Sequence, residues 1–347
     1  MKILHTADLH LDSPLQGHGE DLRNALAAVP GKLLELCRAE GCDMVLIAGD
    51  VFDGTHTPYT AKKLREILAA MAVPVFITPG NHDFCSPDSP WKREIWPENV
   101  HIFDSPQIGS VVLPELDCRV YGAGFSMMDC PPLLEGFRAE GTERYAIGIF
   151  HGDALQSHSS YNPITRQQVQ ESGLDYLALG HIHKADSFVA GATLCAWPGC
   201  PMGRGYDEPG EKGAYIVTLD DRVTAEFRPL DTPRFYDLQV QPEQLGSVLP
   251  AVTNKDYYRI TLTGCCEEPN LGTIKEAYAH IPNLVLRDKT TRPVDVWGSL
   301  GEDSFEGVYF GLLRQAMESA GEEEKREILL AAQISRQLME GQEVVLP

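Results

Sequence analysis

The feature that most constrains the fold is a repeated pattern in which a short apolar run ends in a cluster of Asp, Asn and His residues. Runs of this length bounded by turn residues are typical of buried strands. The pattern therefore predicts a domain built around a β-sheet. In chain order the clusters are Asp8-Leu9-His10, Gly49-Asp50-Val51-Phe52-Asp53, Gly80-Asn81-His82-Asp83, His151-Gly152-Asp153 and Gly180-His181-Ile182-His183.

Helical patterns separate the first three predicted strands. The strands are Lys2–Asp8, Asp43–Ala48 and Val73–Thr78, and helical spacing covers Leu22–Arg38 and Ala61–Met71. This alternation predicts an α/β fold, a sheet with helices on its faces. Because ligand sites in open α/β sheets form at the carboxyl ends of the strands, we expect the five clusters to converge there. Further strands are predicted at Val100–Phe103, Val111–Leu113, Arg119–Tyr121, Tyr145–Phe150, Tyr176–Leu179 and Ala214–Leu219.

The sequence pattern changes twice along the chain and so divides it into three segments. Residues 1–230 form the predicted catalytic domain, and a Pro-rich stretch near residue 230 marks its end. Residues 231–300 form a predicted α+β cap module, and residues 301–347 form C-terminal helices. In the module we expect strands at Phe235–Val240, Tyr257–Thr263 and Leu284–Arg287 and helices at Gln244–Val252 and Ile274–His280. In the tail we expect helices at Val308–Ala320 and Glu323–Glu340.

The chemistry of the five clusters predicts a metal site. Each cluster alone is also typical of a turn or a cap, but five in this order favour one joint site. Carboxylate, amide and imidazole ligands without a thiolate favour Mn, Fe or Zn over a softer metal. One carboxylate can bridge two cations, and two metals about 3.5–4 Å apart form the clamp used for in-line displacement at phosphorus.

The ordered clusters resemble those of the calcineurin-like metallophosphoesterases. Within that family the stretch from His5 to Pro14 is similar to the opening of bacterial DNA-repair exonucleases related to the SbcD nuclease subunit. The stretch from Trp197 to Glu208 is similar to another segment of that group. The resemblance implies a sandwich of two mixed β-sheets flanked by helices, followed by a DNA-facing cap.

The resemblance also implies a role for each cluster residue. Two divalent ions, Mn first and Fe or Zn as alternatives, share Asp50, and a hydroxide bridging them attacks phosphorus. His82 lies over the leaving oxygen as general acid or as a hydrogen-bond donor to the transition state, and Asp53 orients it. Arg204 contacts a phosphate, with a structural ion pair as the alternative. One metal is assigned to Asp8, His10, Asp50 and His183, and the other to Asp50, Asn81, His151 and His181.

Charge limits how the chain contacts a polyanion. Lys and Arg number 29 against 50 Asp and Glu, a net charge of −21. Such a chain does not bind nucleic acid unspecifically. The cap module is nearly neutral, with 7 basic and 9 acidic residues. We expect DNA to meet the chain there, with a basic partner supplying further contacts.

The expected partner is an SMC-like coiled-coil ATPase, which in the resembled group docks on the C-terminal helices. Leu330, Ile334 and Leu338 form an apolar stripe that suits a partner helix, or equally the chain's own domain. A homodimer also stays open. The nine cysteines contain no CxxC pair, and no leader or membrane-spanning run is seen, so we expect a cytoplasmic protein without membrane contact.

Three functions remain open at this point. The first is a Mn-dependent DNA exo/endonuclease acting in DNA repair, which the two flanking stretches favour. The second is a phosphodiesterase or phosphatase acting on a small-molecule or protein substrate, with the module as a lid. The third is a scaffold for an ATPase. A scaffold has no need of the complete ligand set, so the enzyme hypotheses are preferred.

Overall fold

A computed structural model shows two six-stranded sheets packed face to face, with helices on the outer surfaces. The structure describes residues 1–15, 17, 19–156, 158–245, 253–266, 271–291, 295–341 and 344. The predicted α/β sandwich of two mixed sheets is confirmed. The chain divides into two compact units, residues 1–237 with 253–259, and residues 238–252 with 260–347. The three segments proposed from sequence, with boundaries near residues 230 and 300, stay predictions.

The first sheet has the strand order β12-β11-β1-β2-β3-β4. Strands β1 to β4 run parallel, whereas β11 pairs antiparallel with β1 and β12 with β11. The parallel run brings the ends of three strands to one edge. The strands are β1 (Lys2–Thr6), β2 (Met44–Ile47), β3 (Val75–Ile77), β4 (Val100–Ile102), β11 (Gly213–Leu219) and β12 (Val223–Pro229).

The second sheet has the order β5-β6-β7-β8-β10-β9, with a parallel centre and one antiparallel strand at each edge. Its two central strands end at the same edge of the sheet. The strands are β5 (Gly109–Leu113), β6 (Cys118–Gly122), β7 (Tyr145–His151), β8 (Tyr176–Gly180), β9 (Asp186–Ala190) and β10 (Thr193–Trp197).

Side chains of the central strands are buried on both faces, which explains their continuous apolar sequences. In β2, Met44 and Leu46 pack between the sheets, whereas Val45 and Ile47 pack under the outer helices. On the helical side, Leu22, Leu26 and further apolar residues of α1 complete the core at helical spacing. The helices here are α1 (Glu20–Glu40), α2 (Pro58–Ala70), α3 (Pro90–Arg93) and α4 (Arg166–Ser172).

Within the described part of the chain, a third sheet of three strands and three helices follow. The sheet has the order β13-β14-β15. The predicted helix Gln244–Val252 lies mostly outside the described residues, and Pro242–Gln244 is a 3₁₀ turn. The elements are β13 (Phe235–Val240), β14 (Tyr257–Leu262), α5 (Leu271–Ala277), β15 (Leu284–Asp288), α6 (Phe305–Ser319) and α7 (Glu322–Met339).

The two C-terminal helices share a small core of their own, in which Phe310 and Ala332 are buried. Apolar residues also remain on the surface. Phe305, Val308 and Leu312 of α6 are exposed and recur on one helical face. Within the described residues, none of the helices has the length and apolar character needed to cross a bilayer.

One buried polar pair joins the two sheets. His5 of β1 is fully buried, and its Nδ1 lies 2.7 Å from the hydroxyl of Tyr176 in β8. Burial lowers the pKa of His5 from 6.5 to about 3. The folded protein therefore holds this imidazole neutral, whereas the unfolded chain protonates it near its ordinary pKa.

This pair predicts a loss of stability as the pH falls. The contribution of neutral His5 to the free energy of unfolding should be complete above its unfolded pKa of 6.5. About 2 kcal/mol of that contribution should be lost by pH 5. We expect His5→Gln to lose less stability over the same interval. Urea unfolding of each protein at pH 5 and at a pH above 6.5, with chelator present, measures how much stability is lost between the two. Equal losses in the two proteins would contradict the assignment.

Candidate metal centre

The five polar clusters follow β1, β2, β3, β7 and β8, and all lie in the first unit. The first three strands belong to one sheet and the last two to the other. Each set is parallel, so the carboxyl ends point the same way and the clusters meet there. The convergence predicted from the sequence is therefore what the fold produces.

The loop backbones are held in an uncommon conformation. Asp8, His10, Asp50 and His181 all have positive φ, between 46° and 92°. For residues other than glycine this costs of order 1–3 kcal/mol each, and such strain concentrates at functional sites. Hydrogen bonds tie the first two loops together, from Asp8 N to Gly49 O at 3.0 Å and from His10 N to Asp50 O at 2.9 Å.

Asp8, His10 and His183 form one group of potential ligands, with one atom of each within 4.8 Å of the others. The Nε2 atoms of His10 and His183 are 3.1 Å apart. His183 Nε2 also lies 3.8 Å from Asp8 Oδ1. Asp8 and His10 are almost completely buried. The three side chains therefore face one small volume.

Asn81, His151 and His181 form the second group with Asp50. Asn81 Oδ1 lies 2.9 Å from His151 Nε2 and 3.3 Å from His181 Nδ1. Asp50 Oδ2 is 3.4 Å from His151 Nε2 and 3.8 Å from His10 Nε2. Asp50 thus lies between the two groups, in the place that a bridging carboxylate requires.

The protonation pattern shows that these atoms fit a cation. His151 Nδ1 lies 2.9 Å from the carbonyl oxygen of Ala48, which makes Nδ1 the donor and leaves Nε2 as an acceptor. That Nε2 faces another acceptor, the carbonyl oxygen of Asn81. Two acceptors at this distance repel unless a cation lies near both. The residues therefore suit a pair of divalent cations held by nitrogen and oxygen.

His82 and Asp53 form a pair beside the two groups. His82 Nδ1 is 2.7 Å from Asp53 Oδ1, and 43% of the His82 side chain is exposed. Hydrogen bonds from His10 and His82 hold the pKa of Asp53 well below its usual range. The hydrogen bond to Asp53 raises the pKa of His82. His82 is therefore a charged or readily charged donor that can reach a substrate.

Two glycines let the sheets approach at the site. A Cβ on Gly180 would lie 1.8 Å from the carbonyl oxygen of Ala48, which is backbone and cannot move aside. A Cβ on Gly49 would lie 2.3 Å from His151 Nδ1, and Gly49 has a φ of +92°. Only glycine has no Cβ to collide in these close approaches and also adopts a positive φ without strain.

Asp83 fastens two of the loops from below. Its carboxylate accepts hydrogen bonds from the backbone N–H groups of Val51 and Gly80, both at 2.8 Å. Burial, together with the charge of Asp50, raises the pKa of Asp83 to about 7. The side chain therefore organises the Asp50 and Asn81 loops without facing the cations.

Glu208, the last residue of the stretch from Trp197, has a role that the motifs do not predict. Glu208 Oε1 lies 2.6 Å from His183 Nδ1, which leaves Nε2 of His183 as the acceptor toward the cations. Burial alone would raise the pKa of Glu208, but hydrogen bonds from His183 and Arg204 lower it overall. The sequence signal for this contact is a Glu four residues after Arg204, in a Gly-rich stretch.

Arg204 lies between two carboxylates. Its Nη2 donates to Glu208 Oε1 at 2.9 Å, and its Nη1 is 3.6 Å from Asp53 Oδ2. The ion pair that the sequence left as an alternative is thus present. Contact between Arg204 and a phosphate stays a prediction. A phosphate bound there would share the guanidinium with these two carboxylates.

Comparison with known proteins gives the family. The model for calcineurin-like phosphoesterases matches residues 1–185, more than half of the chain, and the protein belongs to that family. The chain is 32% identical over 249 residues to the uncharacterized metallophosphoesterase YhaO of Bacillus subtilis, covering 66% of this chain and 60% of that protein. It is 25% identical over 273 residues to SbcD of the SbcCD nuclease of Bacillus subtilis, covering 65% and 67%.

Solved structures of similar fold include a dimetal phosphatase from Danio rerio. It shares 11% identity, covers 65% of this chain and 95% of its own, and gives a TM-score of 0.43. The resemblance to metallophosphoesterases stated from the motifs is confirmed by the family match. That family uses a dinuclear metal centre, and the described residues of this chain contain groups of His and Asp that could hold metal ions. The individual ligand assignments remain proposals that rest on the distances above.

The contact between Glu208 and His183 predicts an effect on metal affinity. Glu208→Gln should weaken Mn²⁺ binding about 10- to 100-fold, because the partner that fixes the His183 tautomer loses its charge. Titration calorimetry of the metal-free protein measures this. The unfolding midpoint in chelator separates it from a loss of packing.

Glu211→Gln is the matched control for this substitution. Glu211 is about half exposed and pairs with Arg234 instead of a site residue. We expect wild-type affinity from this variant. Unchanged affinity in Glu208→Gln would show that Glu208 serves only Arg204.

Proposed function

We propose that the protein is a metal-dependent phosphodiesterase that cleaves DNA, a nuclease acting in DNA repair. The observation that carries the proposal is the position of Asp50 between His10 and His151, one from each ligand group, with the His82–Asp53 pair beside them. Similarity to SbcD of the SbcCD nuclease supports DNA as the substrate class. The chain spans 60% of the length of YhaO, so the substrates and partners of a whole protein of this kind are proposals here.

The two ligand groups would hold two divalent cations, Mn²⁺ or alternatively Fe or Zn, which polarise the phosphoryl group and lower the pKa of a bound water. The chain's own residues do the rest. Asp53 fixes His82 through Nδ1, so Nε2 is the atom that donates to the leaving oxygen. Glu208 fixes His183, and Ala48 fixes His151, so that each presents one nitrogen inward.

Charge gives DNA a restricted route to this centre. With a net charge of −21 the chain repels a polyanion over most of its surface. Residues 231–300, with a net charge of −2, offer the least repulsion and form the proposed DNA-facing cap. Salt should then affect cleavage less steeply than in basic nucleases, because fewer counterions are released.

A second candidate is a phosphodiesterase or phosphatase for a small-molecule or protein substrate. The metal groups and the His82–Asp53 pair serve any phosphoester equally well. The acidic surface favours this candidate over a nuclease that would act on DNA unaided. A partner with a basic surface would remove that difference.

The proposed partner is an SMC-like coiled-coil ATPase that contacts the C-terminal helices. Of the predicted stripe, Leu330 and Ile334 are half-buried and Leu338 is 62% exposed, so part of it packs within the chain. The exposed face of α6, formed by Phe305 and its helical neighbours, adds apolar surface for such a partner. A homodimer and a cytoplasmic location are also proposed. All nine cysteines are free, as a reducing compartment requires.

The proposal predicts the behaviour of a His82→Ala variant. With Mn²⁺, the wild-type protein should degrade linear or hairpin DNA, and the variant should lose about 10²- to 10⁴-fold in rate because it lacks the proton donor. Metal content, measured on the same samples, should be unchanged. His101→Gln is the control, since this imidazole stacks on Phe76 away from the clusters.

Three results would count against a DNA nuclease. Rapid turnover of bis(p-nitrophenyl) phosphate without DNA cleavage would favour the second candidate. Turnover of neither, with metal bound, would favour a scaffold. Equal DNA cleavage by His82→Ala and wild type would remove His82 from the chemistry.

A further inference from the structure

A cleft of about 330 Å³ opens beside His82. Its size is at the lower end of ligand pockets, which run from about 300 to 1,000 Å³. It belongs entirely to the first unit. We call it the His82 cleft, and its lining includes Phe52, His56, His82, Phe84, Asp88 and Ser89.

Aromatic rings form one wall of the His82 cleft. The ring of Phe52 lies 5.4 Å from that of His56 and 5.5 Å from that of Trp91. Trp91 stacks in turn on Trp96 at 5.2 Å, and its Nε1 donates to the carbonyl oxygen of Asp83 at 2.6 Å. Phe52 is itself only 1% exposed, so it supports the wall from behind, and the half-buried rings of His56 and Phe84 are the flat surfaces that an occupant can contact.

The charges around the cleft exclude a second phosphate. None of the described residues that line it is Lys or Arg. Asp88 at its rim is paired with Arg93, and Asp83 lies beneath. An anion would meet these carboxylates, and the two positive groups nearby are already engaged, Arg93 by Asp88 and His82 by Asp53. An uncharged, flat group is the occupant that this lining accepts.

A buried hydroxyl in the same lining points to a ligand. Ser89 is only 7% exposed, and its Oγ has no hydrogen-bond partner among the described residues. Although Ser89 precedes α3, its side chain does not cap that helix. A buried polar group without a partner costs roughly 1–3 kcal/mol, so an occupant of the cleft that accepts or donates here would relieve it.

The position of His82 connects the cleft to the reaction. Asp53 occupies Nδ1 of His82, so the leaving oxygen is at Nε2 and the group attached to that oxygen extends past the ring. His82 lines the cleft, so the cleft is open to a group attached to that oxygen. We propose that the His82 cleft binds the nucleobase of the departing nucleotide, stacked near Phe84 and hydrogen-bonded to Ser89. This inference rests on the proposed nuclease function.

The experiment compares two dinucleotides that differ only in the leaving nucleotide, which carries either a base or an abasic sugar. Both polarities are made, so that the leaving side is identified. In the presence of Mn²⁺, the wild-type protein should cleave the base-bearing substrate with a kcat/KM about 10- to 100-fold higher, the range that stacking on an aromatic wall gives.

Two variants test the lining. Phe84→Ala and Ser89→Ala should each reduce kcat/KM for the base-bearing substrate, Phe84→Ala about 10-fold, and leave the abasic substrate unchanged. Such a split excludes misfolding, which would lower both. Tyr59→Ala is the matched control, because this aromatic residue is 67% exposed and does not line the cleft.

The outcomes separate the two proposals. Equal cleavage of base-bearing and abasic substrates by the wild type would overturn the nucleobase site and leave the phosphodiesterase proposal standing. A base preference that survives in both variants would place the base elsewhere and likewise overturn this site. Failure to cleave either dinucleotide or bis(p-nitrophenyl) phosphate would overturn the phosphodiesterase proposal and, with it, the site.

Discussion

The structure depends on the convergence of hydrogen-bond acceptors that repel one another unless cations join them. His10 and His183 face each other through Nε2, and His151 faces the carbonyl oxygen of Asn81. Buried carboxylates add negative charge beside them. Bringing these groups together costs desolvation and strain, which metal binding offsets. The chain keeps this arrangement through positive φ angles, which a fold without a bound ligand would have no reason to retain.

The surrounding sandwich supplies what the site cannot supply for itself. Gly49 and Gly180 allow two sheets to approach where a Cβ would collide. Asp83 fastens two loops through backbone N–H groups, and Glu208 fixes one ligand histidine. These contacts hold the ligands in place before a cation arrives, which is how a site keeps its geometry and its selectivity.

Substrate choice is set outside the metal groups. A dinuclear centre of the kind this family uses can act on any phosphoester, so discrimination would fall to the surfaces that receive the rest of the substrate. Beside His82 the cleft offers aromatic rings and a buried serine hydroxyl, and its described lining contains no lysine or arginine. The net charge of −21 disfavours unspecific contact with any polyanion.

The sequence by itself determined the parallel strands β1 to β4 and β6 to β8, the five clusters and the family, because buried strands have continuous apolar runs and the clusters recur at their ends. It did not reveal the buried strand β10 or the edge strands β9 and β12, whose mixed exposed and half-buried residues resemble loops. It also missed α4, which begins with a capping box at Thr165 and Gln168. Only the tertiary structure decided that Glu208 holds His183, that Arg204 is paired, and that a cleft adjoins His82. Such contacts depend on distances between segments that are remote in the chain, and local patterns carry no information about them.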